Sequence, residues 1–395
     1  MDLPEFDLIV CGVPRFAAEA PWAWRLLSRY LRRLPARRRT EAAGRLPTVS
    51  EIPGDSELVL VDSDPEAYVL PEVGERLIRA LDSGEGFELI LPVSNEPWAE
   101  EARRDPPFQY ATPTGLCEAV AAIASSGGPI RPAEAPSSPV FAIRRRALRA
   151  LPADTPLDRV PEAAHSHGLL AAVDPGAYVH RYGAMDASPR GDLAARVPPA
   201  ARRVLDVGCA RGATGPLLRA RGVELLVGIE PDGEDAAAAS RLYDEIHRGR
   251  LEDVVEALRG PFDAVLFGDV LEHLEDPSDA LVRVRAHLSA DGVVIASVPN
   301  AGHWSILDDL LRGRFDYVPY SILSGTHLRL FTRRTLEDLF SASGYRVRRL
   351  DTVALPAHPG AAARLAQLRS VPGASEDLEV AEFLAVAEPT FTTDK

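Results

Sequence analysis

An apolar run that breaks on glycine directly after an acid occupies Val204 to Gly212 (VLDVGCARG), and it narrows the choice of fold more than any other stretch. The apolar residues read as a buried strand. Gly208 and Gly212 let the backbone turn sharply and come close to a ligand. A helical run from Thr214 to Arg221 follows, and the first N–H groups of a helix have no partner within it. Loops of this kind hold a pyrophosphate in dinucleotide sites, but Asp206 would repel an anion at that range. As a dinucleotide fingerprint the loop reads Gly208-x-Ala210-x-x-Ala213, without the middle glycine. The ligand it suits carries positive charge where a dinucleotide carries phosphate.

S-adenosylmethionine (SAM) has an ammonium and a sulfonium at that place. The next apolar run, Glu224 to Glu230 (ELLVGIE), ends in an acid 24 positions after Asp206, the length of one strand-helix-strand unit. An acid there can accept both hydroxyls of a ribose. Together with Phe262 to Leu274 (FDAVLFGDVLEHL), the stretches Val204 to Gly212 and Gly228 to Asp232 resemble the class I SAM-dependent methyltransferases, over about Arg190 to Pro389.

The resemblance implies a Rossmann-like α/β fold with a seven-stranded mixed sheet. It places Asp206, Gly208 and Gly212 at the methionine end of SAM, Glu230 at the ribose, and Asp232 or its neighbours at the adenine edge. Asp269 would face the transfer centre, and Cys209, Pro231, Leu251 and Val270 complete the expected cofactor surroundings. Two positions depart from the family pattern: Ala210 replaces a glycine, and Arg250 stands where an adenine-binding acid is common.

Composition sets the outer limits. With 395 residues, 46% of them hydrophobic and 26% charged, the chain has room for two globular domains. A net charge of −14 argues against nucleic acid as a general partner, because backbone phosphates would be repelled. No apolar run reaches membrane-spanning length, and an N-terminus bearing Asp2, Glu5 and Asp7 lacks a signal peptide's basic flank, so the expected location is cytoplasmic. Cys11, Cys117 and Cys209 are too scattered for a disulfide framework or a zinc site. The cationic cluster Arg32-Arg33 and Arg37 to Arg39 reads as solvated helix and loop.

Twenty-four of the 34 prolines precede residue 200, which separates an irregular first half from a regular second half. The expected domains are 1–185 and 190–395, with the boundary near 182–192. In the first, strands are expected at Phe6 to Cys11, Glu57 to Val61, Phe87 to Leu91 and Val140 to Ile143. Helices are expected over about 18–34, 71–83 and 114–125, the last opening on Thr112-Pro113, with Ser125 to Ser138 a loop or lid. Val59 to Asp64 sets Asp62 and Asp64 at a strand end, where hard oxygens can bind a divalent cation. With Ser138 to Leu151 and Gly168 to Gly183, this resembles the latter part of a GT-A glycosyltransferase. That resemblance implies a truncated α/β domain. If it were active, Asp62 and Asp64 would hold Mn²⁺ or Mg²⁺ and His180 would complete the site.

In the second half, strands are expected at Phe262 to Gly268, Gly292 to Val298, Tyr345 to Leu350 and Glu382 to Ala387, with a helix at about 277–288. The excursion Pro299 to Thr332 follows a strand's carboxyl end, where ligands of open α/β sheets bind, and reads as the acceptor lid. It carries His303, Trp304, Phe315, Tyr317, Tyr320, His327 and Phe331, aromatics that suit either a lid core or a sugar-stacking platform. A hydroxyl acceptor needs a base, and His327, His303 and His273 are the candidates. Glu272 and His273 have the alternative of capping a helix and holding the loop. The expected activity is SAM-dependent O-methylation of a sugar, glycan or glycosylated metabolite. The alternatives are a bifunctional glycosyltransferase/methyltransferase, a phenolic or lipid acceptor, or a non-catalytic scaffold keeping the fold.

Overall fold

The computed structural model describes residues 3–11, 33–42, 46–64, 67–83, 86–95, 100–181, 188–318 and 321–390. Most of the helix expected over 18–34 falls outside them, as do Arg32, Tyr320 and residues 182–187. The chain divides into one compact unit of residues 1–183 with 316–320 and a second of 184–315 with 321–395. Among the described residues no helix is long and apolar enough to cross a membrane.

The first unit holds strands β1 (Phe6–Cys11), β2 (Arg38–Ala42), β3 (Leu58–Asp62), β4 (Ala67–Tyr68), β5 (Leu89–Ser94), β6 (Arg131–Pro132), β7 (Val140–Arg144) and β8 (Ala171–Arg181). They form one sheet in the order β2-β1-β3-β7-β5-β8-β4, with β6 on β8. Strands β1, β3, β5 and β7 are apolar runs buried on both faces, the pattern of strands covered by helices on each side. Helix α1 (Pro71–Asp82) turns Val73, Leu77, Ile78 and Leu81 into this core. Helix α2 (Pro113–Ser126) opens as its sequence indicates, with Pro113 in the first turn and Thr112 accepting from Gly115 N–H at 3.3 Å.

The cationic segment is a correction. Arg38 to Ala42 pairs in parallel register with β1, from Asp7 opposite Arg38 to Cys11 opposite Ala42. An edge strand tolerates arginines because one side of it faces water. Beneath it, Arg145 Nη2 meets Asp7 Oδ2 at 2.5 Å, both nearly fully buried, and Ser56 Oγ donates to Asp7 Oδ1 at 2.8 Å. Gly54 has φ +102°, and a Cβ there would lie 2.0 Å from Asp7 Oδ2, so this turn is built around the ion pair.

The second unit holds β9 (Arg203–Val207), β10 (Leu225–Glu230), β11 (Glu245–Arg248), β12 (Phe262–Gly268), β13 (Leu288–Pro299), β14 (Tyr345–Ala354) and β15 (Val380–Pro389). Their order is β11-β10-β9-β12-β13-β15-β14. The first five run parallel and β15 is antiparallel to both neighbours, giving a seven-stranded mixed, Rossmann-like sheet. Alternation along β9 places Leu205 and Val207 in one core layer and Val204 in the other. Each such fully buried side chain stabilises by about 1.5–3 kcal/mol.

The chain leaves β9 for β10 on one side and β12 on the other, so the order reverses between β9 and β12. Ligands of open α/β sheets bind at such a switch point, outside the strands' carboxyl ends. Asp206, Glu230 and Asp269 all stand at those ends. Helices α3 (Gly215–Ala220), α4 (Gly233–Ala239), α5 (Pro277–Arg285), α6 (Trp304–Leu311) and α7 (Arg333–Ala342) complete the parts used below. Helix α5 ends three residues before the expected 288, and β13 begins there, because Gly292 allows close approach: a Cβ would sit 2.9 Å from Phe262 O.

Candidate functional site at the carboxyl ends of the second sheet

The loop after β9 is shaped by left-handed backbone. Gly208 has φ +70° and Gly212 +82°, and a Cβ on Gly208 would lie 2.5 Å from Val270 Cγ2. Ala210 also sits in this region at φ +45°, so the position where the family pattern prefers glycine does require a glycine-like conformation. The loop is tied to β10 by Glu230, whose Oε2 accepts from Ala210 N–H at 2.9 Å and Oε1 from Asp232 N–H at 2.8 Å.

Asp206 and Glu230 are both buried. Burial, and then the Glu230 charge, push the Asp206 carboxyl up to about 6, against the pull of a 2.6 Å hydrogen bond from Tyr243 Oη. Burial likewise raises Glu230, partly offset by its two backbone hydrogen bonds. Two buried acids at neighbouring strand ends form a site that a cationic ligand would stabilise and a phosphate would not. The residues therefore fit SAM, with Asp206 suited to its ammonium end and Glu230 to a ribose.

Asp269 is the second strained residue, with φ +54° directly after β12. Ser297 holds it from β13: Ser297 Oγ accepts from Asp269 N–H at 3.0 Å and donates to Asp269 Oδ1 at 2.8 Å. Arg190 pairs with the other carboxylate oxygen, with Asp192 at 2.8 Å and with Glu382 at 2.5 Å. Burial lowers the Arg190 pKa, but the hydrogen bond to Asp192 and the charges of Asp269 and Glu382 outweigh it and hold the guanidinium firmly protonated. Glu382 is raised to about 7 by burial and then by Asp269, with Arg190 opposing. Non-glycine residues held in left-handed backbone concentrate where function fixes a side chain.

Several expected contacts are corrected. The Cys209 side chain packs inward, and a Cβ on Gly228 would lie 2.7 Å from its sulfur, so only its backbone faces the loop. Leu251 lies in the core. Asp232 caps α4, its Oδ1 accepting from Glu234 N–H at 2.8 Å and Asp235 N–H at 3.0 Å. His303 is a helix cap, not a base. Its Nδ1 accepts from Ser305 Oγ at 2.8 Å, and Nε2 then donates to Leu355 O at 2.9 Å. Neither nitrogen of this buried ring has a lone pair left for substrate.

His327 and His273 are brought together, their ring centroids 4.8 Å apart in an edge-to-face arrangement. Burial, then the neighbouring His273, holds His327 down to about 4, too low for an efficient base near neutrality. Glu272 is fully buried between the strand end and the excursion, and burial followed by the Asp269 charge raises its carboxyl well above the ordinary range. It caps no helix.

Of the residues expected to hold a cation in the first unit, Asp64 and His180 already have partners, while Asp62 is buried at the end of β3. Asp64 Oδ2 pairs with Arg181 Nε at 2.6 Å, so a guanidinium already supplies the positive charge. His180 Nδ1 is held by Tyr110 Oη at 2.5 Å. Among the described residues these side chains enter no cluster with metal-ligand spacing.

Sequence reasoning missed Arg190, Tyr243, Ser297 and Glu382. Tyr243 and Ser297 lie 37 and 28 positions from the acids they touch, and Glu382 lies 192 positions from Arg190, with which it pairs. A regular sheet pattern predicts none of those contacts. Arg190, in Pro189-Arg190-Gly191-Asp192, carried a local signal, an arginine two residues before an acid.

Residues 178–350 match the family model described as a methyltransferase domain. The ubiquinone biosynthesis O-methyltransferase of Neisseria meningitidis serogroup C is 32% identical over 135 residues, which is 32% of this chain and 55% of that protein. The tRNA 5-carboxymethoxyuridine methyltransferase of Escherichia coli K12 is 30% identical over 131 residues, 31% of this chain and 50% of that protein. The chain thus spans about half the length of the curated relatives it matches. A SAM-dependent methyltransferase structure from Archaeoglobus fulgidus is 16% identical, with a TM-score of 0.37, over 50% of this chain and 93% of that one. Residues 178–350 thus match a methyltransferase domain, and the curated relatives that resemble this part of the chain are methyltransferases.

Proposed function

We propose that the protein transfers a methyl group from SAM to a hydroxyl oxygen of a small molecule. The observation that carries this reading is the pairing of two buried acids, Asp206 and Glu230, across a left-handed glycine loop at the switch point of the sheet. The oxygen acceptor draws support from the similarity to a protein named an O-methyltransferase.

When bound, SAM supplies an electrophilic methyl on a sulfonium, a good leaving group. The protein's part is to orient and to exclude water. Asp206 holds the positive methionine end, Glu230 orients the ribose while bracing the loop through Ala210 and Asp232, and the Gly208 to Gly212 backbone permits close approach. Asp269, fixed by Ser297 and neutralised by Arg190, faces the acceptor side.

The narrower reading, a sugar or glycan hydroxyl, came from the GT-A resemblance of the first unit. We retain that resemblance as a fold reading only, without sugar transfer, because Arg181 and Tyr110 engage Asp64 and His180, two of the three residues that would have held a cation. Incubation with methyl-labelled SAM and parallel panels of sugars, nucleotide sugars and phenols tests the proposal. Label on an oxygen is the expected result, and label only on nitrogen or carbon acceptors would overturn it. Manganese-dependent hydrolysis of a nucleotide sugar would restore the bifunctional alternative.

A further inference from the structure

We propose that Glu272, His273 and His327 bind one divalent transition-metal ion, and that, on the methyltransferase reading above, this ion holds the acceptor oxygen. One ligating atom from each of the three lies within 4.8 Å of the others. An ion about 2.1 Å from each donor needs separations of roughly 3–4 Å, so small side-chain rotations close the site.

Three independent features point the same way. The Glu272 carboxyl group is fully buried, and among the described residues neither oxygen has a hydrogen-bond partner. A buried carboxylate left so is costly, and a cation against it removes the cost. Secondly, each imidazole is oriented by a backbone carbonyl of the excursion: His327 Nδ1 lies 2.9 Å from Ile322 O and His273 Nδ1 3.2 Å from Thr326 O. Donation from Nδ1 fixes the tautomer that leaves Nε2 as the lone pair, the outer arrangement typical of metal-ligating histidine. Thirdly, the two segments are fastened together, since the Glu272 carbonyl accepts from Leu328 N–H at 2.8 Å and Arg329 N–H at 3.0 Å.

Two imidazoles and one carboxylate favour ions of the Mn²⁺ to Zn²⁺ series over Mg²⁺ or Ca²⁺, which prefer all-oxygen sets. Three protein ligands also leave a coordination position for an outside oxygen, as in catalytic rather than structural sites. A metal-bound hydroxyl loses its proton at lower pH. The proton would pass to bulk water, and the resulting oxygen would form its bond to the methyl carbon as the carbon–sulfonium bond breaks and releases the neutral thioether. Neither His303 nor His327 is placed to act as base for this step.

The test uses the full chain, freed of any affinity-tag histidines and stripped with chelator, titrated with ZnCl₂ and separately with MnCl₂ by calorimetry, with Mn²⁺ spin resonance as a second readout. One equivalent should bind saturably. Glu272→Gln and His327→Gln should each weaken binding at least tenfold, and His273→Gln, at an exposed position, gives the same reading where a buried variant fails to fold. His165→Gln, at an exposed histidine outside the cluster, should leave binding unchanged. Absence of saturable binding, or binding indifferent to the three cluster variants, would overturn the site. Methylation unaffected by chelator would overturn its role in holding the acceptor. S-adenosylhomocysteine binding, measured on the same samples, reports on the methyltransferase reading separately.

Discussion

Tyr243 donates its phenolic hydrogen to Asp206 Oδ2 at 2.6 Å, and this is the hydrogen bond given to a carboxylate that is 7% exposed. One neutral donor does not compensate burial of a charge, which is why the Asp206 carboxyl stands near 6 rather than 3.8. The free protein therefore carries a destabilising charge above that pH, kept for a ligand. Asp206→Asn retains an acceptor for Tyr243 and removes the charge. At pH 8 it should stabilise the ligand-free protein by about 1–3 kcal/mol while weakening SAM at least tenfold. Denaturant melts with and without SAM measure both. A variant that binds SAM like the wild type would remove Asp206 from the cofactor site.

The same carboxyl sets a pH dependence. Its folded value is raised, so its contribution to the stability of the free protein is fully present below about 3.8 and is lost as pH rises through about 6. Cofactor binding runs the other way, because the ammonium of SAM needs the ionised form. Affinity for SAM should be constant above about pH 7 and fall roughly tenfold per unit below 6. Calorimetric titrations from pH 5 to 8 give the profile, and Asp206→Asn should flatten it. A wild-type profile without a break near 6 would contradict the assignment.

Gly208 and Val270 meet across the site, from the loops after β9 and β12. A methyl on Gly208 would stand 2.5 Å from Val270 Cγ2, at φ +70°. Gly208→Ala carries two separable costs: about 1–2 kcal/mol for the left-handed backbone, and a clash that Val270 has to relieve by moving. The double variant Gly208→Ala/Val270→Ala removes only the second. It should recover part of the lost melting temperature relative to the single variant, with an interaction energy of roughly 0.5–3 kcal/mol between the two sites. Strict additivity would mean that the two residues do not touch.

How much of this was legible follows from how local each signal is. Strand β9, its glycine loop and Glu230 were legible because hydrophobic burial and left-handed backbone leave marks within nine residues of sequence. Six of the second half's seven strands were legible for the same reason, although α5 ends and β13 starts earlier than the apolar pattern alone suggests. Strand β11, EIHR at the sheet edge, has no buried residue to mark it. Strand β2 was not, because an arginine-rich edge strand has no apolar face to declare it. His303 was misread for a related reason. A histidine in a loop before a helix looks the same in sequence whether it caps with Nδ1 or faces a substrate, and only Ser305 and Leu355 O decide. The ion pair of Asp64 was not legible because its partner, Arg181, lies 117 positions away.

Arg190 joins Asp192, Asp269 and Glu382 through one guanidinium, and its side chain is largely buried. Two of its contacts form a fork on Asp192, Nε to Oδ1 at 3.0 Å and Nη2 to Oδ2 at 2.8 Å, a geometry that lysine cannot reproduce. Arg190→Met leaves three acids near one another, and because Asp269 and Asp192 are partly exposed the loss falls below that of a fully buried pair, at about 1–3 kcal/mol. Glu382 makes the loss depend on pH. Its folded value, about 7, already lies above the ordinary 4.5, so its contribution to stability is present below 4.5 and lost as pH rises through 7. Without Arg190 that value climbs further, and protonation then relieves the repulsion. The destabilisation of Arg190→Met should thus be largest at pH 8 and clearly smaller at pH 5.5, with Arg190→Lys lying between wild type and Arg190→Met. Urea unfolding at the two pH values measures it, and a loss of stability equal at both would show that Glu382 and Asp269 do not depend on this arginine.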